Sequence, residues 1–500
     1  MSMIEQLSQA LAAGNASQAQ QLITAISQQQ DSANAQVPLI NLCLKHGFHQ
    51  QGLQCFARAA TDEQFALQIL PLLQEPLLKS SAELTLAYLT VAHQAQPQNL
   101  QLLLTLADNQ LQFNQLQEAE QVLTKALQTH SHPEILARLA EVYFRWNRFH
   151  DAKACAQLGL AMSANNPQSL INLAVVEKAL NNLQESARLF SQALELESNN
   201  FYAHINLAHL YLTTGQFKLG WAENEWRWQD AHCNKEMLPL PEWQGEQNVD
   251  HHLLLWADQG LGDQIQYLSL LPQVKAKVTV KVDSRLHSLL TETCTLLDAD
   301  YQGDFSEFDS QLSLGSLPRF LVHQFSDLKP STAYLQLPSP VAGANLKTNQ
   351  KRWLGFSWRG GRFGTAAASR SLELSLWQPL FALENIQWVN LQYDATEQEI
   401  EWLASHNVIT PEFDLKNDLL QLAGAMTSLD GYFGVDNSTI HLAGALGVKS
   451  WLLLTPIADW RWFTDAEYCY WYQSVQLLRT LPLNNEALAA FYQSAQALLA

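Results

Sequence analysis

The sequence has no run of basic residues. Its 29 Lys and Arg stand against 48 Asp and Glu, a formal charge of −19. A protein that neutralises phosphates needs a basic stripe, so nucleic acid is excluded as a partner. No apolar stretch approaches the roughly 20 residues that span a bilayer; the longest candidate, 451–454, is the size of a strand. The start, MSMIEQLSQALAAGNASQAQQ, lacks the basic and apolar segments of a secretory signal. The cysteines at 43, 55, 155, 233, 294 and 469 form no CxxC pair and no ligand spacing, which fits reduced thiols rather than a disulfide frame or a zinc site. The expectation is a soluble, cytoplasmic protein with no membrane span and no metal.

Glycine is scarce in one half only. Six of the 21 glycines fall in 1–240 and 15 in 241–500, and Trp146 is the single tryptophan before Trp221. Glycine costs about 1 kcal/mol against alanine inside a helix, whereas sites that bring backbone near a ligand require it. A helical half and a ligand-facing half are the reading.

The first half repeats. Ala107, Ala140, Ala174 and Ala208 are 33, 34 and 34 residues apart, each followed by a polar turn and a second helix that opens near Ala119, Ala152, Ser186 and Gly220. Small residues let paired helices approach and large ones interlock. This helix–turn–helix unit resembles the tetratricopeptide repeat (TPR). The array covers 99–240, including a junction helix; residues 1–98 read as divergent helical repeats or a cap. Such an array offers a concave surface for a protein segment, or serves only as a spacer.

From about 250 the period changes. Short apolar runs at 253–256, 278–282, 353–358, 386–391, 431–434 and 450–454 alternate with helical stretches at 263–271, 285–290, 374–381, 396–404, 418–426 and 438–446, which implies parallel sheets covered on both faces. The Pro- and Gly-containing stretch 338–349 separates two lobes, 241–340 and 351–480, and a terminal helix is expected in 481–500.

Three loops carry chemistry. After the first strand, Asp258-Gln259-Gly260-Leu261-Gly262-Asp263-Gln264 pairs two glycines with a carboxylate at a helix start. That carboxylate suits a general base, but on spacing alone a helix cap accounts for it. Trp358-Arg359-Gly360-Gly361-Arg362-Phe363-Gly364 leads to Ser369-Arg370-Ser371, an arginine-rich loop fitted to phosphate oxygens or merely solvated. Gly434-Val435-Asp436-Asn437-Ser438-Thr439-Ile440-His441 ends a strand and opens a helix whose first amides would hold a phosphate; His441 is otherwise a half-buried histidine. Ala443, Gly444 and Ala445 would let that helix pack closely on the sheet. Asp298-Ala299-Asp300 lacks a strand context and His251-His252 lacks a partner, so neither is taken as a metal site. The aromatic cluster at 460, 462, 468 and 470–472 reads as a core or lobe-closing patch, or as a surface that stacks on sugar or base.

VDNST followed by HLAGALG resembles the corresponding segment of family-nine, heptosyltransferase-like glycosyltransferases, and GLGDQIQYLSLLP is similar to their amino-terminal loop. With the repeats, the junction Gly220-Trp221…Glu225-Trp226-Arg227-Trp228 and the tail Asp459-Trp460-Arg461-Trp462, the chain resembles bacterial tetratricopeptide-repeat glycosyltransferases, with the domain order of O-linked N-acetylglucosamine transferases. The resemblance implies a TPR array followed by a GT-B domain of two Rossmann-like lobes. It implies metal-independent transfer, without a cofactor, of a sugar from a nucleotide-diphosphate-sugar donor to a hydroxyl of a protein (flagellin or another surface protein) or glycan acceptor. Asp263 becomes the general base, with His441 the second catalytic candidate. Arg359, Arg362 and Arg370 stabilise the leaving diphosphate, and Gly260, Gly262, Gln264, Gly360, Asp436, Asn437, Ser438 and Thr439 complete the donor site. The alternative is a non-catalytic repeat scaffold or chaperone with a vestigial sugar-nucleotide lobe.

Overall fold

A computed structural model describes residues 3–29, 33–60, 81–230, 233, 235–290, 294–338, 341, 346–360, 370–454, 458–464 and 468–479. Arg362, Gly361, Gly364, Ser369 and the expected helix of 481–500 lie outside the described residues. The chain divides into two compact units, Met1–Val176 and Glu177–Ala500.

The helices come in antiparallel pairs joined by turns of three residues. In the first unit these are α1 (Met3–Ala12) with α2 (Ala16–Gln29), α3 (Ala33–Lys45) with α4 (His49–Ala59), α6 (Leu100–Gln112) with α7 (Leu116–Leu127), and α8 (Pro133–Arg145) with α9 (Phe149–Met162). Between them lies α5 (Ala82–Ala95). The turns hold a residue in the left-handed region at Gly14, Gly47, Asn114, Asn147, Asn181 and Gly215. Glycine and asparagine tolerate that backbone best. These positions recur at intervals of 33 or 34 residues, or twice that between Gly47 and Asn114. Residues 1–60 therefore share the tetratricopeptide-like phase of the later repeats, which the side-chain pattern alone had hidden. Ala107, Ala140 and Ala174 are buried at the helix crossings, as are Ala119 and Ala152 on the second helices.

The helix α10 (Pro167–Ala179) runs from the first unit into the second, which continues with α11 (Leu183–Leu196), α12 (Phe201–Thr213) and α13 (Phe217–Asn224). A Cβ on Gly220 would stand 2.6 Å from the Leu212 side chain, so the last pair closes only over glycine. This pair belongs to the unit that carries the sheets, and the junction shows why. Trp221 Nε1 donates to the Val322 carbonyl at 3.1 Å. Arg227, 6% exposed, donates to Asp258 at 2.8 Å, Glu225 at 2.7 Å, Ser313 at 3.0 Å and Ser316 at 2.7 Å.

Two all-parallel sheets follow. The first comprises β1 (His252–Trp256), β2 (Lys277–Val282), β3 (Thr295–Asp298) and β4 (Ser310–Ser313), in the order β3-β2-β1-β4. The second holds β5 (Arg352–Phe356), β6 (Ile386–Asn390), β7 (Gly431–Gly434), β8 (Ser450–Leu454) and β9 (Val475–Arg479), in the order β6-β5-β7-β8-β9. Leu253–Leu255 and Trp451–Leu453 are buried on both faces, as parallel strands require. β3, β4 and β9 were not expected from the sequence. Asp298 ends β3, so it does have a strand context; it is exposed and 3.5 Å from His287 Nδ1. In each sheet the strand order reverses beside the first strand, at β1/β4 and at β5/β7, and such switch points open crevices at the carboxyl ends of strands.

Candidate functional site

The loops after β1 and β7 meet through two helices. α14 (Leu261–Leu268) follows β1 and α15 (Ser438–Ala445) follows β7. They touch at Gly262, where a Cβ would lie 3.1 Å from His441 Cδ2 and 3.4 Å from Ser438 Cα. Beside this contact is a cavity of about 610 Å³ lined by Gly260, Gly262, Asp263, Arg370, Asp436, Asn437, Ser438, Thr439 and His441 among the residues named from sequence. Leu261, Ile265, Leu415, Leu419, Leu422 and Leu442 form its apolar wall, and Arg285, Tyr393, Asp394, Lys416 and Arg461 complete it.

Asp263 is the third residue of α14, whose N-cap is Gly260, so it is not the cap that its spacing suggested. Its carboxylate instead accepts from Arg461 Nη2. Arg461 Nε donates to Gln266 at 2.7 Å and Nη1 to Asp459 at 2.6 Å. Asp459 accepts a further bond from Arg370, whose Nε lies 3.3 Å from Asp436. Three carboxylates and two guanidiniums thus alternate from one sheet to the other. Arg461 and Arg370 hold the buried Asp459 far below the usual carboxylate range, while burial pushes the Asp436 carboxyl up.

His441 is 4% exposed. Its Nδ1 shares a hydrogen bond with the Tyr472 hydroxyl at 2.7 Å, and Nε2 lies 3.9 Å from Asp436. Burial, together with Arg461 and Arg370, lowers its pKa to about 3, so the ring is neutral near pH 7. His209 on α12 is lowered to about 3 by burial and by Lys178, Arg461 and Arg370.

Several expectations change. Asn437 caps α15 with its own side chain, accepting from Thr439 N at 3.0 Å and Ile440 N at 3.2 Å. Two of the helix amides expected to hold a phosphate, those of Thr439 and Ile440, are therefore occupied, while Ser438, half-buried, lines the cavity. Asn437 Nδ2 ties this turn to Ser357 at 2.9 Å. Arg359 is spent on Glu399 at 2.9 and 3.1 Å and on the Asp394 carbonyl at 2.9 Å, and does not line the cavity. Gln264 turns to Gln259 O and Asp283 N rather than to the cavity. A Cβ on Gly360 would come 2.2 Å from the Asp436 carbonyl, so that glycine permits two protein loops to cross. Gly444 faces Tyr472, whose ring a Cβ would meet at 2.3 Å, rather than the sheet. Of the aromatic cluster, Trp460, Trp462, Trp471 and Tyr472 are buried and Tyr468 is exposed.

Sequence reasoning missed Arg461, Asp459 and Arg285 as members of the site. The tail Asp459-Trp460-Arg461-Trp462 entered only through the resemblance, and its local signal is an aspartate and an arginine beside large aromatics. Among the described residues no group of three or more His, Cys, Asp or Glu could hold a metal ion, and no helix is long and apolar enough to cross a membrane.

No family model matches the chain. It is similar to FlbA of Caulobacter vibrioides, 25% identical over 349 residues that cover 63% of this chain and 57% of FlbA. The chain thus spans just over half the length of that relative. Among solved structures, MamA of Desulfovibrio magneticus is 16% identical with a TM-score of 0.27, over 33% of this chain and 92% of its own. A tetratricopeptide repeat protein of Parabacteroides merdae is 20% identical with a TM-score of 0.28, over 33% and 66%.

Proposed function

We propose that the chain is a glycosyltransferase that moves a sugar from a nucleotide-diphosphate-sugar to a hydroxyl of a protein or glycan acceptor engaged by its repeats, its two sheets forming the lobes of a GT-B domain. One observation carries the reading. The loops after β1 and β7, together with Arg370 from the stretch that follows β5, converge on one cavity of about 610 Å³, within the size range of small-molecule sites. In this mechanism Asp263 takes the proton of the acceptor hydroxyl. The oxygen attacks the anomeric carbon, and the bond to the diphosphate breaks with its electron pair leaving on the diphosphate. Arg370 and the Ser438 hydroxyl stabilise that charge.

The neutral His441 serves as a hydrogen-bonding wall rather than an acid, because its lowered pKa leaves it without a proton to give. Thermal shift and donor hydrolysis with UDP-, GDP-, ADP- and CMP-sugars test the reading. A diphosphate sugar should stabilise the wild type, and Asp263→Ala should keep binding while losing turnover. A wild type stabilised by none of these donors refutes it. A second reading, a repeat scaffold whose lobe binds a nucleotide sugar without turnover, draws on the engagement of Asp263 by Arg461; binding with no hydrolysis or transfer would favour it.

A further inference from the structure

Arg461 sits on a short 3-10 turn, Trp460–Trp462, that ends at Phe463 with φ 48° and ψ 163°. A non-glycine side chain rarely adopts that backbone, and such strain persists only where the surroundings enforce it. Here they do. Trp471 Nε1 donates to the Arg461 carbonyl at 3.0 Å, and Arg479 Nη2 donates to the Trp462 carbonyl at 2.7 Å and to that of Phe463. With its backbone pinned, Arg461 sends its guanidinium from the second sheet to α14 of the first. Two of its acceptors, Asp263 and Gln266, lie on that helix, and the third is Asp459 of its own turn.

We propose that Arg461 is a positioning residue that holds the Asp263 carboxylate across the two sheets and releases it when a nucleoside diphosphate enters against Arg370 and Arg461. The inference rests on the sugar-donor reading of the same cavity. A guanidinium presents a planar fork that fits two phosphate oxygens as well as it fits a carboxylate. A diphosphate carries more charge than Asp263 and approaches from the cavity, which both arginines line. Once Arg461 turns to the diphosphate, the Asp263 oxygens are free to accept the hydrogen bond of an acceptor hydroxyl. Donor therefore binds before the base is available, and a site without donor does not activate an acceptor or water.

Calorimetric binding of UDP, GDP, ADP and inorganic pyrophosphate to the full chain tests this. Wild type must break the Asp263–Arg461 pair to bind, so Asp263→Asn should bind the diphosphate about tenfold more tightly, a gain of about 1.4 kcal/mol. Arg461→Gln should weaken binding, and adding Asp263→Asn to it should bring no gain; Arg461→Lys replaces it if that variant does not fold. A gain that survives in the Arg461 variant would overturn the release step while leaving the donor reading intact. Failure of wild type and Asp263→Asn alike to bind any of the four probes would overturn the donor reading, and the release step with it.

Discussion

Gly262 and His441, which follow β1 and β7, lie against each other so closely that a Cβ on the glycine would stand 3.1 Å from His441 Cδ2. The imidazole cannot swing away, because its Nδ1 is tied to the Tyr472 hydroxyl at 2.7 Å. Gly262→Ala should therefore push α14 and α15 apart and cost about 1–3 kcal/mol. Gly260→Ala is the matching control. Its φ of −65° suits any residue, and the nearest atom to the new Cβ is Asp263 Oδ2 at 3.4 Å, so its unfolding midpoint in urea should stay within about 0.5 kcal/mol of wild type. Equal losses from the two substitutions would contradict this account of the contact.

Arg370 and Arg359 should separate in function although both were assigned to the diphosphate. Arg370 lines the cavity, whereas Arg359 is held by Glu399 outside it. Arg370→Ala should weaken binding of the preferred nucleotide sugar by about tenfold or more, since charge-assisted bonds contribute about 1.5–3 kcal/mol. Arg359→Ala should change affinity little while lowering stability through the freed Glu399 carboxylate. Titration calorimetry paired with urea unfolding distinguishes the two, and a larger binding defect in Arg359→Ala would reverse the assignment.

Arg227 joins the junction to the first sheet, and its partners Asp258 and Glu225 have side chains 1% and 24% exposed. Removing one member of a buried pair leaves an uncompensated charge, so Arg227→Met should cost about 3–5 kcal/mol. Adding Asp258→Asn to that background should restore part of the loss. A double variant no more stable than Arg227→Met would mean that the cost comes from lost packing instead of the stranded carboxylate.

Legibility followed locality. The runs 431–434 and 450–454 matched β7 and β8 residue for residue, because Tyr432-Phe433 and Trp451–Leu454 are short apolar stretches bounded by glycine or serine, as strands buried on both faces show. β4, Ser-Gln-Leu-Ser, carries no such signal. Its two serines are buried because His251 Nε2 meets Ser310 at 2.6 Å and Arg227 reaches Ser313 at 3.0 Å, partners at least 59 residues away. The site divides in the same way. The loop residues Gly260, Asp263, Asp436 and His441 stood out by residue type and converge on the cavity. That Asp263 is bound by Arg461, 198 residues later, is a tertiary fact with no local trace. Asn437 carries a role of the opposite kind. Its capping of Thr439 and Ile440 is wholly local, a common role of asparagine, and it uses amides that had been reserved for a phosphate.

The left-handed turn residues give a test of the repeat phase. Asn147 has φ 57°, a conformation that costs a residue with a Cβ and no compensating side-chain bond about 1–2 kcal/mol. Asn147→Ala should therefore destabilise by about 1 kcal/mol, whereas Asn147→Gly should be close to neutral. The same pattern at Asn114 and Asn181, read as urea midpoints, would follow from the shared turn geometry. A repeat in which alanine and glycine behave alike would not have the left-handed turn.

His441, like His209, makes stability depend on pH. Its pKa is about 3 in the folded chain and about 6.5 when unfolded, so between those values the unfolded state binds the extra proton. Stability must then rise with pH across that window, and it is lost as pH falls below about 6.5. The slope that one such group contributes approaches about 1.4 kcal/mol per pH unit. His441→Gln has no proton to gain and can still bond to Tyr472, so the difference between wild type and variant isolates this histidine from the carboxylates that titrate nearby. Urea midpoints measured from pH 7 down to pH 4 should show wild type losing stability faster than the variant, with the two curves parallel above pH 7. Curves that stay parallel throughout would mean that folding leaves the ring's pKa near about 6.5, in which case a protonated fraction of His441 could give a proton to the leaving diphosphate and its role in transfer would have to be rewritten as an acid.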